Sequence, residues 1–337
     1  MYIENNQLKN YISIWLASMF WIIVIMIIVG GLTRLTDSGL SITQWELFSG
    51  FLPPLNHSDW IDYFNLYKEI PEYKLQNYSM TLGEFKIIFW WEWIHRFLGR
   101  LIGICFLIPL IYFTFKSNFK KLKNLYLIFF LICFQGFIGW YMVSSGLIDR
   151  VDVSHYRLSL HLVTAFIILN LIFWNYLSLN FNQVSSKRIK NLPFIFIMLI
   201  YIQIIIGAFV SGMDAGKIYN SWPLMGNNFF PDDSSFNEFF NLNVFDNPSI
   251  VQFIHRNLAY LIFLVYLIIF FKVYINKITN MFFITNLIGF LLVLQIILGV
   301  FTLLYGAQIF LASMHQISSI FLVSSCVYFL YINKKIN

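Results

Sequence analysis

The sequence predicts an all-α polytopic membrane protein, with eight transmembrane helices forming two pseudo-twofold-related four-helix bundles. Three observations lead there. Apolar residues make up 59% of the 337 positions and charged residues 11%, with a mean hydropathy of +0.71, far from a soluble balance. Eight continuous apolar runs each approach or exceed the ~20 residues needed to cross a hydrocarbon core. The last four runs also repeat landmarks of the first four.

The runs cover residues 12–32, 87–115, 125–148, 158–180, 192–212, 249–275, 281–304 and 307–332. They are unbroken rather than alternating with polar residues, so helices are expected and not barrel strands. No small-residue cleavage site follows the first run, which is read as a retained span. The N-terminal stretch is not an Arg-rich, acid-poor transit sequence, so a bacterial cytoplasmic (inner) membrane is expected.

Charge sets the orientation. Lys116, Lys120, Lys121, Lys123, Lys187, Arg188, Lys190, Lys272, Lys277, Lys334 and Lys335 all fall on one side, with only Glu4 of the 16 acids. The positive-inside rule makes that side cytoplasmic, together with both termini. The formal charge of +6 reflects this asymmetry and gives no reason to expect nucleic acid. Outside, residues 33–86 and 213–248 form long connections, while 149–157 and 305–306 are brief. The long ones carry TQWELFSGFLPPL and NSWPLMGNNFFPDD, rich in aromatic and turn residues, and are expected to lie on the membrane surface as partial lids.

The repeat is gapless over VGGLTRLTDSGLSITQW and IGAFVSGMDAGKIYNSW, which pairs Gly30, Asp37, Gly39 and Trp45 with Gly207, Asp214, Gly216 and Trp222. QGFIGWYMVSSG and QIILGVFTLLYG likewise pair Gln135, Gly139 and Gly146 with Gln295, Gly299 and Gly306. Four spans per half preserve orientation, so an axis along the membrane normal would relate the halves, residues 1–185 and 186–337. Small residues in the odd-numbered spans allow close approach or leave room for a ring system.

Histidine recurs at matching places: EWIHRFLGR (His95) with QFIHRNLAY (His255), and SLHLVTAF (His161) with SMHQISSIF (His315). Ionisable residues are costly to bury in a membrane and tend to mark function. A lone intramembrane histidine is commonly an interhelical hydrogen bonder, but four at one depth and at repeat-related positions form two candidate pairs. Facing imidazoles suit the axial positions of a haem iron within a bundle. No carboxylate or cysteine cluster completes a tetrahedral metal site. Arg96 and Arg256, next to histidines, and Arg34 and Arg157 at the same rim are candidates for haem propionates. His57 and His155 lie in outer connections and are read as surface residues, and Cys105, Cys133 and Cys326 as small core residues.

One acid breaks the symmetry. Glu92 lies three residues before His95 on the same helical face, and its counterpart before His255 is Gln252, which keeps the shape but cannot exchange a proton. A carboxylate beside a ring edge that loses protons has an obvious use. The plainer alternative is that Glu92 pairs with Arg96 or Arg34. Arg100, matched by Tyr260, is a second asymmetry.

EWIHR followed by LGR, the LTRLTDSGLSITQW segment and the four-histidine double bundle resemble the haem A synthase family over nearly the whole chain. The resemblance implies oxidation of a ring methyl group of haem O to a formyl group through successive hydroxylations, giving haem A for a haem-copper oxidase. It implies that His95 and His161 hold the substrate haem, that His255 and His315 hold a haem b that handles electrons, and that Glu92 is catalytic. It also implies hand-over from a haem O synthase and an electron-transfer partner; an oligomer is compatible. Residues 33–86 contain no cysteine, which resembles the cysteine-free branch with alphaproteobacterial and mitochondrial members and excludes any role for thiols there. Two rivals remain open: a non-enzymatic membrane dihaem cytochrome b, and a transporter built of duplicated bundles.

Overall fold

A computed structural model describes residues 5–45, 49–117, 119–181, 188–241 and 243–334. Glu4, Lys187, Lys335, residues 46–48 of the first long connection and the expected boundary at 185/186 lie outside the described residues. Among those described, the secondary structure is helical, with no strand. The helices are α1 (Asn6–Leu35), α2 (His57–Lys68), α3 (Pro71–Leu75), α4 (Leu82–Lys116), α5 (Phe119–Asp149), α6 (His155–Asn180), α7 (Leu192–Gly212), α8 (Pro248–Ile275), α9 (Phe282–Leu304) and α10 (Ile309–Asn333). All but α2 and α3 are long and apolar enough to cross a membrane, and they coincide with the eight expected spans.

Local chemistry explains where the helices begin. Asn5 caps α1 by accepting from the Gln7 and Leu8 amides. Thr81 and Glu84 form a reciprocal capping box at the start of α4, and Asn247 caps α8 ahead of Pro248 in the first turn. Each satisfies backbone donors that a helix start leaves open.

Helix neighbours within the first half run α1–α4–α5–α6 and back to α1, and within the second α7–α8–α9–α10 and back to α7. Between halves, α6 meets α7, α10 meets α1, and α6 meets α10. Exchanging the halves maps this pattern onto itself, as a twofold relation requires. Buried side chains from all eight spans, such as Leu16, Phe106, Leu169 and Val323, form one core continuous across both halves. Apolar side chains such as Phe130, Phe137, Leu264 and Phe271 point outward and are exposed, a surface suited to hydrocarbon and not to water.

The first long connection is folded. Trp60, Phe64 and Tyr67 of α2 pack with Leu40, Ile42, Phe85, Phe89 and Val153 into a second core over one end of the first bundle. The second long connection is held by short turns, and Phe245 packs near Phe209 and Val251. We call this end of the molecule the loop face, and the opposite end, where Lys116, Lys120, Lys190 and Lys272 gather, the lysine face.

Two sequence expectations need correction. His155 is buried, not at the surface. As the first residue of α6 it abuts Gly212 of α7, where a Cβ would lie 2.8 Å from that of His155, and its Nε2 is 3.3 Å from an Asp246 carboxylate oxygen. Cys133 is exposed on the outer side of α5; Cys105 is half-buried, and only Cys326 is a core residue.

Candidate functional site

The four histidines form the two expected pairs. Ring centres of His95 and His161 are 6.2 Å apart, and those of His255 and His315 6.5 Å. Two metal–imidazole bonds of about 2 Å, with each ring centre roughly 1.1 Å behind its nitrogen, give about 6 Å. Both pairs therefore have the spacing of imidazoles on opposite sides of one metal ion.

A glycine of the adjoining odd-numbered span lies under every ring. A Cβ on Gly30 would be 2.8 Å from Cε1 of His95, on Gly139 3.1 Å from that of His161, on Gly207 3.1 Å from that of His255, and on Gly299 3.0 Å from that of His315. Only a residue without a side chain admits the imidazole so close to the neighbouring backbone. All four Nδ1 atoms are buried and without a partner, although each histidine as a whole is only half-buried. The accessible part of each ring thus lies away from Nδ1. The cradles fit a planar metalloporphyrin with its iron between the rings. Paired imidazoles are also donors of the kind that a haem iron takes.

Glutamines on the odd-numbered spans hold three of these histidines from behind. The side-chain amides of Gln135, Gln203 and Gln295 donate to the carbonyls of His161, His255 and His315 at 3.0, 3.0 and 2.9 Å. Sequence reasoning matched Gln135 with Gln295 but missed Gln203, although QIIIG at 203–207 has the same spacing.

Arg96, Arg256 and Arg34 reach residues of the connections, while Arg157 reaches α5. Arg96 donates to the Ile42 carbonyl at 2.7 Å and the Gln44 carbonyl at 3.0 Å, and pairs with Glu92 at 2.6 Å. Arg256 donates to the carbonyls of Tyr219 and Ser221, each at 3.0 Å, and to the Gln252 side chain at 3.1 Å. Arg34 pairs with Asp37 at 2.6 Å and Asp214 at 3.5 Å. Arg157 donates to the Ser145 hydroxyl and lies 4.6 Å from the Tyr141 ring centre.

Glu92 is buried, and both of its oxygens have partners. Oε1 takes Arg96; Oε2 accepts from the Ser41 hydroxyl and the Ile42 amide, each at 2.7 Å. Gln252 does the same mechanical work in the second half, donating to the Ala215 carbonyl at 2.9 Å. Both side chains pin a long connection to an even-numbered span. Only the first carries a negative charge.

A second buried acid stands in the first long connection. Glu72 accepts from the Tyr67 hydroxyl at 3.1 Å and the Asn77 amide at 3.3 Å, while its Oε2 has no partner. Burial pushes its carboxyl up to about 8, and the charge of Glu92 adds to this. Burial likewise raises the Tyr67 phenol. Nothing in the local sequence marks Glu72 as buried.

The profile of the COX15-CtaA family, cytochrome oxidase assembly proteins, matches residues 13–327. The chain belongs to the COX15-CtaA family. Among its relatives, the Heme A synthase of Pelagibacter ubique (strain HTCC1062) is 49% identical, with all of both chains aligned. That of Rickettsia felis is 42% identical over 97% of this chain and 99% of its own. That of Flavobacterium johnsoniae is 42% identical over 95% and 97%. In this COX15-CtaA member the paired histidines, their glycines and the pinned connections recur in both halves, so each half carries one complete constellation.

Proposed function

We propose that the protein is a haem A synthase, a membrane oxidoreductase that converts a ring methyl group of haem O to a formyl group by successive hydroxylations. The observation that carries this reading is the pair of histidine couples at 6.2 and 6.5 Å, each ring seated on a glycine. Full-length similarity to proteins named Heme A synthase supports it.

In this reading His95 and His161 grip the iron of the substrate, and His255 and His315 that of a resident haem b, which supplies one-electron chemistry when bound. The glycines set how deep the rings sit. Glu92, one turn nearer the loop face than His95, is the proton acceptor, and Arg96 with Ser41 and Ile42 holds its carboxylate in place. The folded first connection covers this end of the bundle and limits water there. The farnesyl tail of haem O favours entry from the bilayer. The lysine face is cytoplasmic, with both termini, in a bacterial inner membrane. A haem O synthase and an electron-transfer protein are the expected partners.

One observation favours the rival dihaem cytochrome: Glu92 and Gln252 do the same work of holding a connection. Expression with a source of haem O, followed by extraction and identification of bound porphyrins, separates the two. A synthase yields haem A from the wild type and accumulates haem O in Glu92→Gln with both histidine pairs intact. Failure of the wild type to form any haem A, or unchanged formation in Glu92→Gln, contradicts the assignment of Glu92 or of the activity.

A further inference from the structure

Each histidine ring rests on a glycine of the adjoining odd-numbered span, and four residues before that glycine stands a side chain that in three cases bonds to the histidine's backbone. Three of these read alike, QGFIG at 135–139, QIIIG at 203–207 and QIILG at 295–299; the fourth reads MIIVG at 26–30. In the three, the glutamine amide donates to the histidine carbonyl at 2.9–3.0 Å. Gln203 also lies 3.3 Å from the ring Nε2 of His255. Met26 offers no donor.

Its methyl group lies instead against Gly99, where a Cβ would be 3.5 Å away. The counterpart of Gly99 in the second half is Ala259. The pair Met26–Gly99 therefore replaces Gln203–Ala259 at similar volume with one hydrogen bond fewer. The change falls on a single histidine of a single pair, and among the described residues no other side-chain amide reaches the His95 carbonyl.

A synthase must release what it makes, whereas a resident cofactor must stay. We propose that Met26 makes the His95–His161 pair the exchangeable porphyrin site. His95 lacks the amide tether of its three counterparts and is the imidazole that yields when an iron porphyrin enters or leaves. The His255–His315 pair is tethered on both helices and retains its porphyrin. This rests on the reading of both pairs as iron ligands. Met26 is a positioning residue: it acts through His95, and its effect appears in how long the porphyrin is held.

The test uses the full-length chain in detergent, loaded with iron protoporphyrin and mixed with excess haem-free myoglobin, and follows transfer by absorbance. Loss should show two phases, the faster from the first pair. Met26→Gln should slow the fast phase and Gln203→Met should speed the slow one, each by roughly three- to tenfold, the worth of one hydrogen bond. If Met26→Gln alone assembles poorly, the double variant Met26→Gln, Gly99→Ala copies the second-half pair and takes its place. Equal slowing by Met26→Leu and Met26→Gln would overturn the proposal, because packing would then suffice. So would rates within about twofold of wild type in both tether variants. A wild type that binds no porphyrin, or a fast phase that survives His95→Ala and His161→Ala, would remove the ligand reading itself and is distinct from either result.

Discussion

Arg34 and Ser211 occupy equivalent positions in the two halves, 177 residues apart, and are joined: the guanidinium donates to the Ser211 carbonyl at 2.8 Å. Asp37 and Asp214, equally related by the repeat, both pair with the same guanidinium, and Asp152 is 3.9 Å away. A single arginine thus ties the halves together where the repeat brings like positions face to face. Its side chain is 12% exposed while the three carboxylates are 40–58% exposed, so most of the cost of losing it comes from the buried end. Arg34→Ala is expected to destabilise the fold by roughly 2–3 kcal/mol, since hydrogen bonds to a charged group are lost. Asp37→Asn alone should cost under about 1 kcal/mol. Thermal melting of the purified protein checks both; a neutral Arg34→Ala would contradict the joint.

The glycine cradles make a position-specific prediction. A methyl group on Gly30 would stand 2.8 Å from Cε1 of His95, closer than packing allows, so the ring must move at a cost of about 1–3 kcal/mol. Gly30→Ala should weaken porphyrin binding at the first pair and leave the second intact. Gly207→Ala should do the reverse. Porphyrin content and absorbance of the two variants, compared side by side, decide this.

Glu72 gives the first connection a pH dependence. Its carboxyl has an ordinary value of 4.5 and is raised to about 8 by burial. The folded state therefore keeps its proton while the unfolded connection loses it. Stability is full below 4.5 and falls as pH rises towards 8. Glu72→Gln retains an acceptor for Tyr67 and should flatten this fall. Limited proteolysis within residues 52–80 between pH 5 and 8 provides the readout; a connection equally resistant throughout would contradict it.

Glu92 has a mechanical role separable from its charge. Gln252 donates to carbonyls, whereas Glu92 accepts from donors on both oxygens. The NH2 of Glu92→Gln must therefore face a donor, and the change should cost roughly 1–3 kcal/mol. Glu92→Ala strands Arg96 and the donors of Ser41 and Ile42 in a buried place and should cost roughly 3–5 kcal/mol. Melting and hydrogen exchange over residues 40–45 should separate the two variants. Similar losses in both would mean that the charge itself holds the connection.

The eight spans were legible because apolar length is a local property, and the histidine pairing because the repeat places like residues at like depths. The ion pair of Arg96 with Glu92 was among the alternatives the sequence offered, but the loop partners of Arg96 and Arg256 were not legible. They are backbone carbonyls of connections that fold back from about 35 to 54 residues away, a path that no local pattern encodes. His155 misled for a related reason: its position at a helix start looks exposed until α7 is laid against it. Glu72 stayed hidden because burial in the first connection depends on Tyr67, Phe64 and Phe85 packing together. The Gln203 tether was encoded in QIIIG, but its meaning depends on a histidine carbonyl one helix away.

The central claim is that each half grips one iron porphyrin between two imidazoles. Low-temperature electron paramagnetic resonance of the porphyrin-loaded protein tests it most directly. Two low-spin ferric signals are predicted: His95→Ala or His161→Ala should abolish one, and His255→Ala or His315→Ala the other. A wild-type spectrum that contains only high-spin iron, or one that no single histidine replacement alters, would contradict the account.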